Sequence, residues 1–437
     1  MSVSEIAKML RENPDLMQKI CEQEQLGSLP LSLCDVDGSG SLTIENLQEY
    51  LRLKGLSVRF NEITHQTEFI GWRGENKTLL PNTAPSIIFN ELKPILPKFC
   101  TEQRIADYLG VVASRNCYNP VLERISGVAW DKRDRLSELF RLIHIDGDEL
   151  GKRLFTCWLK MCICALHNSA DHPFSLDIVL ILRGRQGTGK TRLIEALALD
   201  SDWFAEGLSI DVRSKDSVVQ CTSKWIAELG EIGSTLRRDV DSLKAFLSSA
   251  SDEVRLPYAR AALRYPRRCC FCGTTNDAEF LLDSTGNRRF AVIPLPDDLQ
   301  IKCEDIRRFD FLQLWAQINE LVEQDIKNGE SFSSCFRLDR ETLKAAEARN
   351  AERTKPLPAE MEILDILGDS DGANYKVVYE EMTLSEFKEI NGSLKTFSVV
   401  QISAVLKKLG YSQSIKKVDG RTKRLYELPR RKYNGYP

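Results

Sequence analysis

Gly184-Arg185-Gln186-Gly187-Thr188-Gly189-Lys190-Thr191 matches the pattern G-x-x-x-x-G-K-[ST] at every fixed position. Gly184, Gly187, Thr188 and Gly189 are expected to turn backbone N–H groups toward an anion. The Lys190 ammonium would reach β- and γ-phosphates, and the Thr191 hydroxyl would sit on Mg²⁺. The ligands implied are ATP and Mg²⁺. Downstream, Trp225-Ile226-Ala227-Glu228-Leu229-Gly230-Glu231 ends an apolar run in two acids. One carboxylate could stand in the metal shell and the other act as base. Glu228 is favoured for the metal and Glu231 for the base, with the reverse left open. Cys269–Cys272 runs into Gly273-Thr274-Thr275-Asn276, where Asn276 could orient a water and sense the γ-phosphate. In the turn from Asp283 to Phe290, Arg288 or Arg289 could reach a neighbouring subunit's γ-phosphate and stabilise transition-state charge. The alternative for that pair is a salt bridge or a contact with DNA.

These groups act together only if strands and helices bring them to one edge. Ile178–Leu182 is a short unbroken apolar run, as expected of a parallel strand buried on both faces. After the glycine loop, Leu193, Ile194 and Leu197 have the spacing of a helix packed back on that sheet. The run from Lys224 that ends in Glu228, with Glu231 close behind, and Cys269–Cys272 read as further core strands. The acid and the asparagine at their ends then fall on the ligand edge of the sheet.

Between the last two strands, Arg255 to Arg268 holds five arginines, two tyrosines and no acid. Basic residues interleaved with aromatics suit a phosphate backbone and stacked bases, so Arg255, Tyr258, Arg260 and Arg264 are candidate DNA contacts. The net charge of −3 hides a similar contrast, because Ser398 to Pro437 contains ten Lys/Arg and two Asp/Glu. There, a helix carrying Lys407 and Lys408 precedes two strands joined at Asp419-Gly420, a hairpin signal. Lys416, Lys417, Arg421, Lys423 and Arg424 lie on that hairpin. A helix followed by a basic hairpin reads as a winged-helix-like domain that binds DNA or docks protein.

Other motifs lead elsewhere. Asp35, Asp37, Ser39 and Gly40 fit the start of an EF-hand loop, but its twelfth position is Asn46 rather than Glu. A Gly/Ser turn before a helix capped by Thr43 is the better reading, with Ile44, Leu47 and Leu51 facing inward. The 13 cysteines are odd in number and scattered, which suits reduced thiols. The single C-x-x-C, Cys269 to Cys272, has no second pair, so it reads as buried strand rather than a zinc site. No apolar run reaches the length of a membrane span, and the first residues lack a signal peptide's apolar core. A cytoplasmic protein with no membrane partner is expected.

Together, the glycine loop, Trp225–Glu231, Leu243–Ser249, Asp252–Arg260, Gly273–Asn276 and Leu281–Phe290 resemble the virulence-associated E (VapE-like) family of phages and mobile elements. The likeness covers about residues 40 to 320. These are AAA+ ATPases related to superfamily 3 helicases. The resemblance implies an α/β fold with a P-loop AAA+ core on a parallel sheet. It also implies a homo-hexameric ring that unwinds single-stranded or forked DNA during replication, with the arginine-rich insert as a pore hairpin and Arg288 or Arg289 as a finger acting in trans. Here the acids are spaced E-x-x-E rather than adjacent, which leaves the base open.

The organisation expected is an α+β region at 1–75, a helical lead-in at 76–170 and an ATPase core at 171–300. A helical extension and linker at 301–358 and the winged-helix-like basic domain at 359–437 would follow. No segment reads as a primase, so a primase or polymerase would be a separate chain. An origin-binding initiator and a regulatory nucleotide switch are the other functions the residues allow.

Overall fold

The computed structural model describes residues 31–72, 77–208, 215–230, 240–254, 263–278, 280–281, 287–353, 358–368, 375–418 and 421–433. Residues 1–30, Glu231, Arg255, Tyr258, Arg260 and the Asp419-Gly420 turn lie outside the described residues. The chain divides into two units, residues 1–276 with 289–343, and residues 277–288 with 344–437.

In the first unit, Thr43 caps the helix Ile44–Leu53 by accepting from the Asn46 N–H. Ahead of it, the Asn46 amide donates to the Ser41 carbonyl at 2.9 Å and lies 3.4 Å from Asp35 Oδ1. An amide therefore ties down the turn in which an EF-hand would use a cation. Strands β1 (Ser57–Asn61), β2 (Gln66–Trp72), β3 (Lys77–Leu79) and β4 (Cys117–Tyr118) form a sheet in the order β3-β2-β1-β4. The helices Ala84–Leu92 and Glu102–Ser114 share a core with it, built on Leu47, Tyr50, Val58, Phe69, Ile88 and Ile105. That core continues to Ala113, beyond the boundary expected near residue 75, because strands this short bury a face only with those helices over them.

The helix Glu149–Leu166 then leads into the second sheet. Its strands are β5 (Val179–Arg183), β6 (Phe204–Leu208), β7 (Ile226–Leu229), and, after the hairpin β8 (Ser251–Val254) and β9 (Leu263–Pro266), β10 (Cys270–Thr275) and β11 (Phe290–Pro294). Their order is β11-β5-β10-β7-β6 and every pairing is parallel. Leu180, Ile181, Ala227, Phe271 and Val292 are buried, as a sheet covered on both faces requires. Cys162, Cys269 and Cys272 are buried within this layer, and burial pushes their thiols well above the ordinary range. Three indoles pin the layers together. Trp158 donates to Phe271 O, Trp225 to Cys162 O, and Trp315, on the helix Phe311–Lys327, to Leu197 O. No helix among the described residues is long and apolar enough to cross a membrane.

The arginine-rich insert is split in its role. Arg267, 1% exposed, pairs with buried Asp252 and lies over the Phe246 ring at 4.3 Å. Arg268 pairs with Glu62 at 3.2 Å, and Tyr265 stacks on His65 at 4.4 Å. Arg268 and Tyr265 tie the hairpin to Glu62 and His65 of the body, and Arg267 closes onto Asp252 of β8, so these three face protein partners rather than a nucleic acid. Arg264 is exposed and donates to the Ser251 hydroxyl.

The second unit contains the helix Pro358–Leu367, β12 (Tyr375–Met382), the helices Leu384–Ile390 and Val399–Lys408, β13 (Ser414–Val418) and β14 (Arg421–Tyr433). Its antiparallel sheet runs β12-β14-β13. Ile363, Phe387, Ile402, Leu406 and Leu428 fill its core, and Thr383 with Glu386 and Ser398 with Gln401 form capping boxes at two helix starts.

Arg267→Ala would leave Asp252 buried without its partner. A loss of about 3–5 kcal/mol is expected from urea denaturation. The double variant Arg267→Met/Asp252→Leu should recover much of it, and single and double variants of equal stability would contradict the pairing.

Candidate functional site

β5 lies between β11 and β10, both of which come late in the chain, while the helix after β5 leads toward β6 at the far edge. Such a switch in direction opens a crevice beyond the carboxyl ends of the strands. The glycine loop sits there. Gly189 has φ +95, and a Cβ on it would come within 2.9 Å of Ile301 O. Only glycine allows this closeness and this backbone together. The Ile301 N–H donates to Thr188 O at 2.9 Å, and Thr188 Oγ1 donates to Arg185 O at 2.7 Å, which fixes the loop.

Lys190 opens the helix Lys190–Leu197, and its side chain turns back across the loop. Nζ donates to Gly184 O and Arg185 O, each at 2.7 Å, and to Asn276 Oδ1 at 3.1 Å. Burial lowers the pKa of its ammonium, and the Glu228 carboxylate opposes that shift. The next residue reaches the neighbouring strand, where Thr191 Oγ1 donates to Glu228 Oε1 at 3.0 Å. Thr274 on β10 donates to the same oxygen at 2.7 Å. Glu228, 3% exposed, has its pKa raised by burial, with the two hydroxyl hydrogen bonds acting against the rise. A cavity of about 560 Å³ opens over these groups, lined also by Gln186, Gly187 and Glu206. Its volume is within the usual range for small-molecule sites.

The sequence over residues 124–355 matches the model of the virulence-associated protein E-like domain. This chain belongs to that family. The matched segment contains Lys190, Glu228, Asn276 and Arg289, so the VapE-like domain includes the site just described. Among solved structures, the chain is similar to the apo structure of the NrS-1 C terminal region (305-718), at 12% identity and a TM-score of 0.48, covering 87% of this chain and 98% of that one. Two A form apo structures of the same region match at 14% identity with a TM-score of 0.44 and at 13% with 0.41, over the same shares of the chains. No curated protein matches the chain.

Within the VapE-like domain, Lys190, Thr191, Glu228 and Asn276 stand together at one sheet edge. Arg289 is partly buried and donates from Nε to Ser248 Oγ at 2.6 Å, while Arg288 is exposed and belongs to the second unit. Thr274 and Glu206 line the cavity but drew no role from the sequence, as is true of Arg192 and Glu195 on the helix after the loop. Thr274 stood inside the Gly273–Asn276 stretch, where only the terminal asparagine drew a role. Glu206 lies on β6, whose sequence Phe-Ala-Glu-Gly-Leu has too short an apolar pattern to read as a strand.

In the second unit, Lys408 pairs with Glu360 at 2.7 Å and Lys416 with Glu381 at 2.5 Å. Lys407, Lys417 and Arg424 are exposed, and Lys423 lies opposite Lys416 in the β13–β14 register. Arg421 begins β14.

The pKa of Glu228 is raised above its unfolded value, so the folded chain holds that proton more tightly. Its contribution to stability is full below the ordinary carboxylate range and is lost as pH rises through the folded pKa. Glu228→Gln keeps an acceptor oxygen for Thr191 and Thr274 without the charge. Thermal melts should show it more stable than the parent near about pH 7, with the gain fading toward about pH 4. A deficit that does not change with pH would contradict this.

Proposed function

We propose that this VapE-like chain is an ATP-dependent replicative DNA helicase of a phage or mobile element, acting as a homo-hexameric ring. The observation that carries this reading is the convergence of Lys190, Thr191, Glu228, Thr274 and Asn276 at the carboxyl edge of an all-parallel sheet. A P-loop AAA+ core accounts for this arrangement. On ATP binding, Lys190 would exchange its loop carbonyls for β- and γ-phosphate oxygens, and Asn276, already within its reach, would face the γ-phosphate. The Thr191 hydroxyl and the Glu228 carboxylate, 3.0 Å apart, are suitable ligands for Mg²⁺ or its water shell. Bound Mg²⁺ supplies charge that offsets the negative charge developing on the transferred phosphoryl group. Arg288 or Arg289 of a neighbouring subunit would add a second positive charge from across the ring.

DNA is the partner that the basic elements suit. The hairpin formed by β8 and β9 is braced at its root by Arg267 and Arg268, and Arg264, exposed on β9, would meet phosphates. The second unit runs helix, strand, helix, helix, strand, strand, with its first strand pairing its last, which supports the winged-helix reading. Lys408 and Lys416 are engaged by glutamates, so Lys407, Lys417 and Arg424 are the stronger phosphate contacts. The host compartment would be the bacterial cytoplasm. The same basic elements would also serve an origin-binding initiator that remodels DNA without processive unwinding.

Full-length protein with ATP and Mg²⁺ should separate the strands of a forked DNA, and Lys190→Ala should abolish both unwinding and hydrolysis. ATP hydrolysis with no strand separation on forks of either polarity would replace the helicase reading with the initiator. No hydrolysis at all would remove both.

A further inference from the structure

The edge strand beside Glu228 is irregular at one point. β6 pairs with β7 as Phe204↔Ile226 and Ala205↔Ala227, and the register then shifts so that Leu208 meets Leu229. Two residues, Glu206 and Gly207, therefore stand against the single Glu228. This is a β-bulge, a device that re-aims side chains beside active sites. Two glycines hold it. Gly207 has φ +63, and a Cβ on Gly230 would come within 2.6 Å of Gly207 O. The Gly230 N–H donates to Leu208 O at 2.9 Å and closes the irregular step. Glu206 is exposed, yet it lines the same cavity as Lys190, Thr191 and Thr274. Its charge is felt by Glu228, whose pKa it helps to raise.

The two carboxylates differ in what they can do. Glu228 is buried, and its Oε1 already accepts from Thr191 and Thr274. It is suited to a fixed place at the metal shell. Glu206 is exposed and lines the cavity from the edge strand, so its carboxylate could meet a water beside a bound γ-phosphate. We propose that Glu206 is the catalytic base of this site, taking the proton from the water that attacks the γ-phosphate. This rests on the ATPase reading given above. In the step, the water oxygen forms a bond to the γ-phosphorus as the bond from that phosphorus to the β–γ bridging oxygen breaks. The bonding pair leaves with ADP, and the water's proton passes to Glu206 and then to solvent.

The test uses the full-length protein and two readouts, binding of a fluorescent ATP analogue and single-turnover hydrolysis of ATP. Glu206→Gln should bind the analogue within about threefold of the parent, yet hydrolyse ATP slower by about 10²–10⁴-fold. Glu206→Asp should restore part of the rate. Hydrolysis by Glu206→Gln within about threefold of the parent overturns the assignment, most directly if Glu231→Gln instead abolishes it. Loss of nucleotide binding in Glu206→Gln overturns it too, since that would mark a binding role. The parent and Lys190→Ala separate the two levels of failure. If the parent hydrolyses ATP and Lys190→Ala does not, only the base assignment falls. If the parent neither binds nor hydrolyses ATP, the ATPase reading falls and the base with it.

Discussion

A carboxylate taken out of water at the end of a parallel strand is destabilising unless donors meet it, and the centre of this molecule is arranged around Glu228. Its Oε1 receives two hydroxyls, from Thr191 on the helix after the glycine loop and from Thr274 on the neighbouring strand. Lys190 adds an opposite charge nearby and is itself held by loop carbonyls and by Asn276. These contacts join β5, β7 and β10 at one end. The local stability of the sheet edge therefore depends on the same few atoms to which the proposed nucleotide chemistry is assigned.

The surroundings make that edge rigid. The strands are apolar on both faces, and three tryptophans use their single N–H to grip backbone carbonyls in adjoining layers while their rings fill the core. The loop is tied to the segment after β11 through Ile301 and Thr188. The hairpin root follows the same logic, with Arg267 and Arg268 locked to Asp252 and Glu62.

Much of the site was legible because its elements leave local signatures. The fixed positions of the glycine-loop pattern located Lys190, and an apolar run that stops at a polar residue, which marks a buried parallel strand and its carboxyl end, located Glu228 and Asn276. What stayed hidden depends on distant pairing. Glu206 sits on an edge strand recognisable only once β7 is beside it, and its position is set by a bulge that no composition signals. Arg267 and Arg268 looked like members of a DNA-facing run because the acids that bind them, Asp252 and Glu62, lie outside it. The N-terminal α+β unit extended beyond residue 75 because β4, a two-residue strand, pairs with β1 across a long stretch of chain. In the second unit, the helix and hairpin were readable from periodicity, but the glutamates that occupy Lys408 and Lys416 were not.

The most direct measurement is a calorimetric titration of the full-length protein with a slowly hydrolysed ATP analogue, with and without Mg²⁺. Saturable binding that tightens in Mg²⁺, and that loses this tightening in Thr191→Val, is expected if Thr191 and Glu228 flank the phosphates at this edge. A flat titration, or binding indifferent to both Mg²⁺ and Thr191, would contradict a nucleotide site built around Glu228.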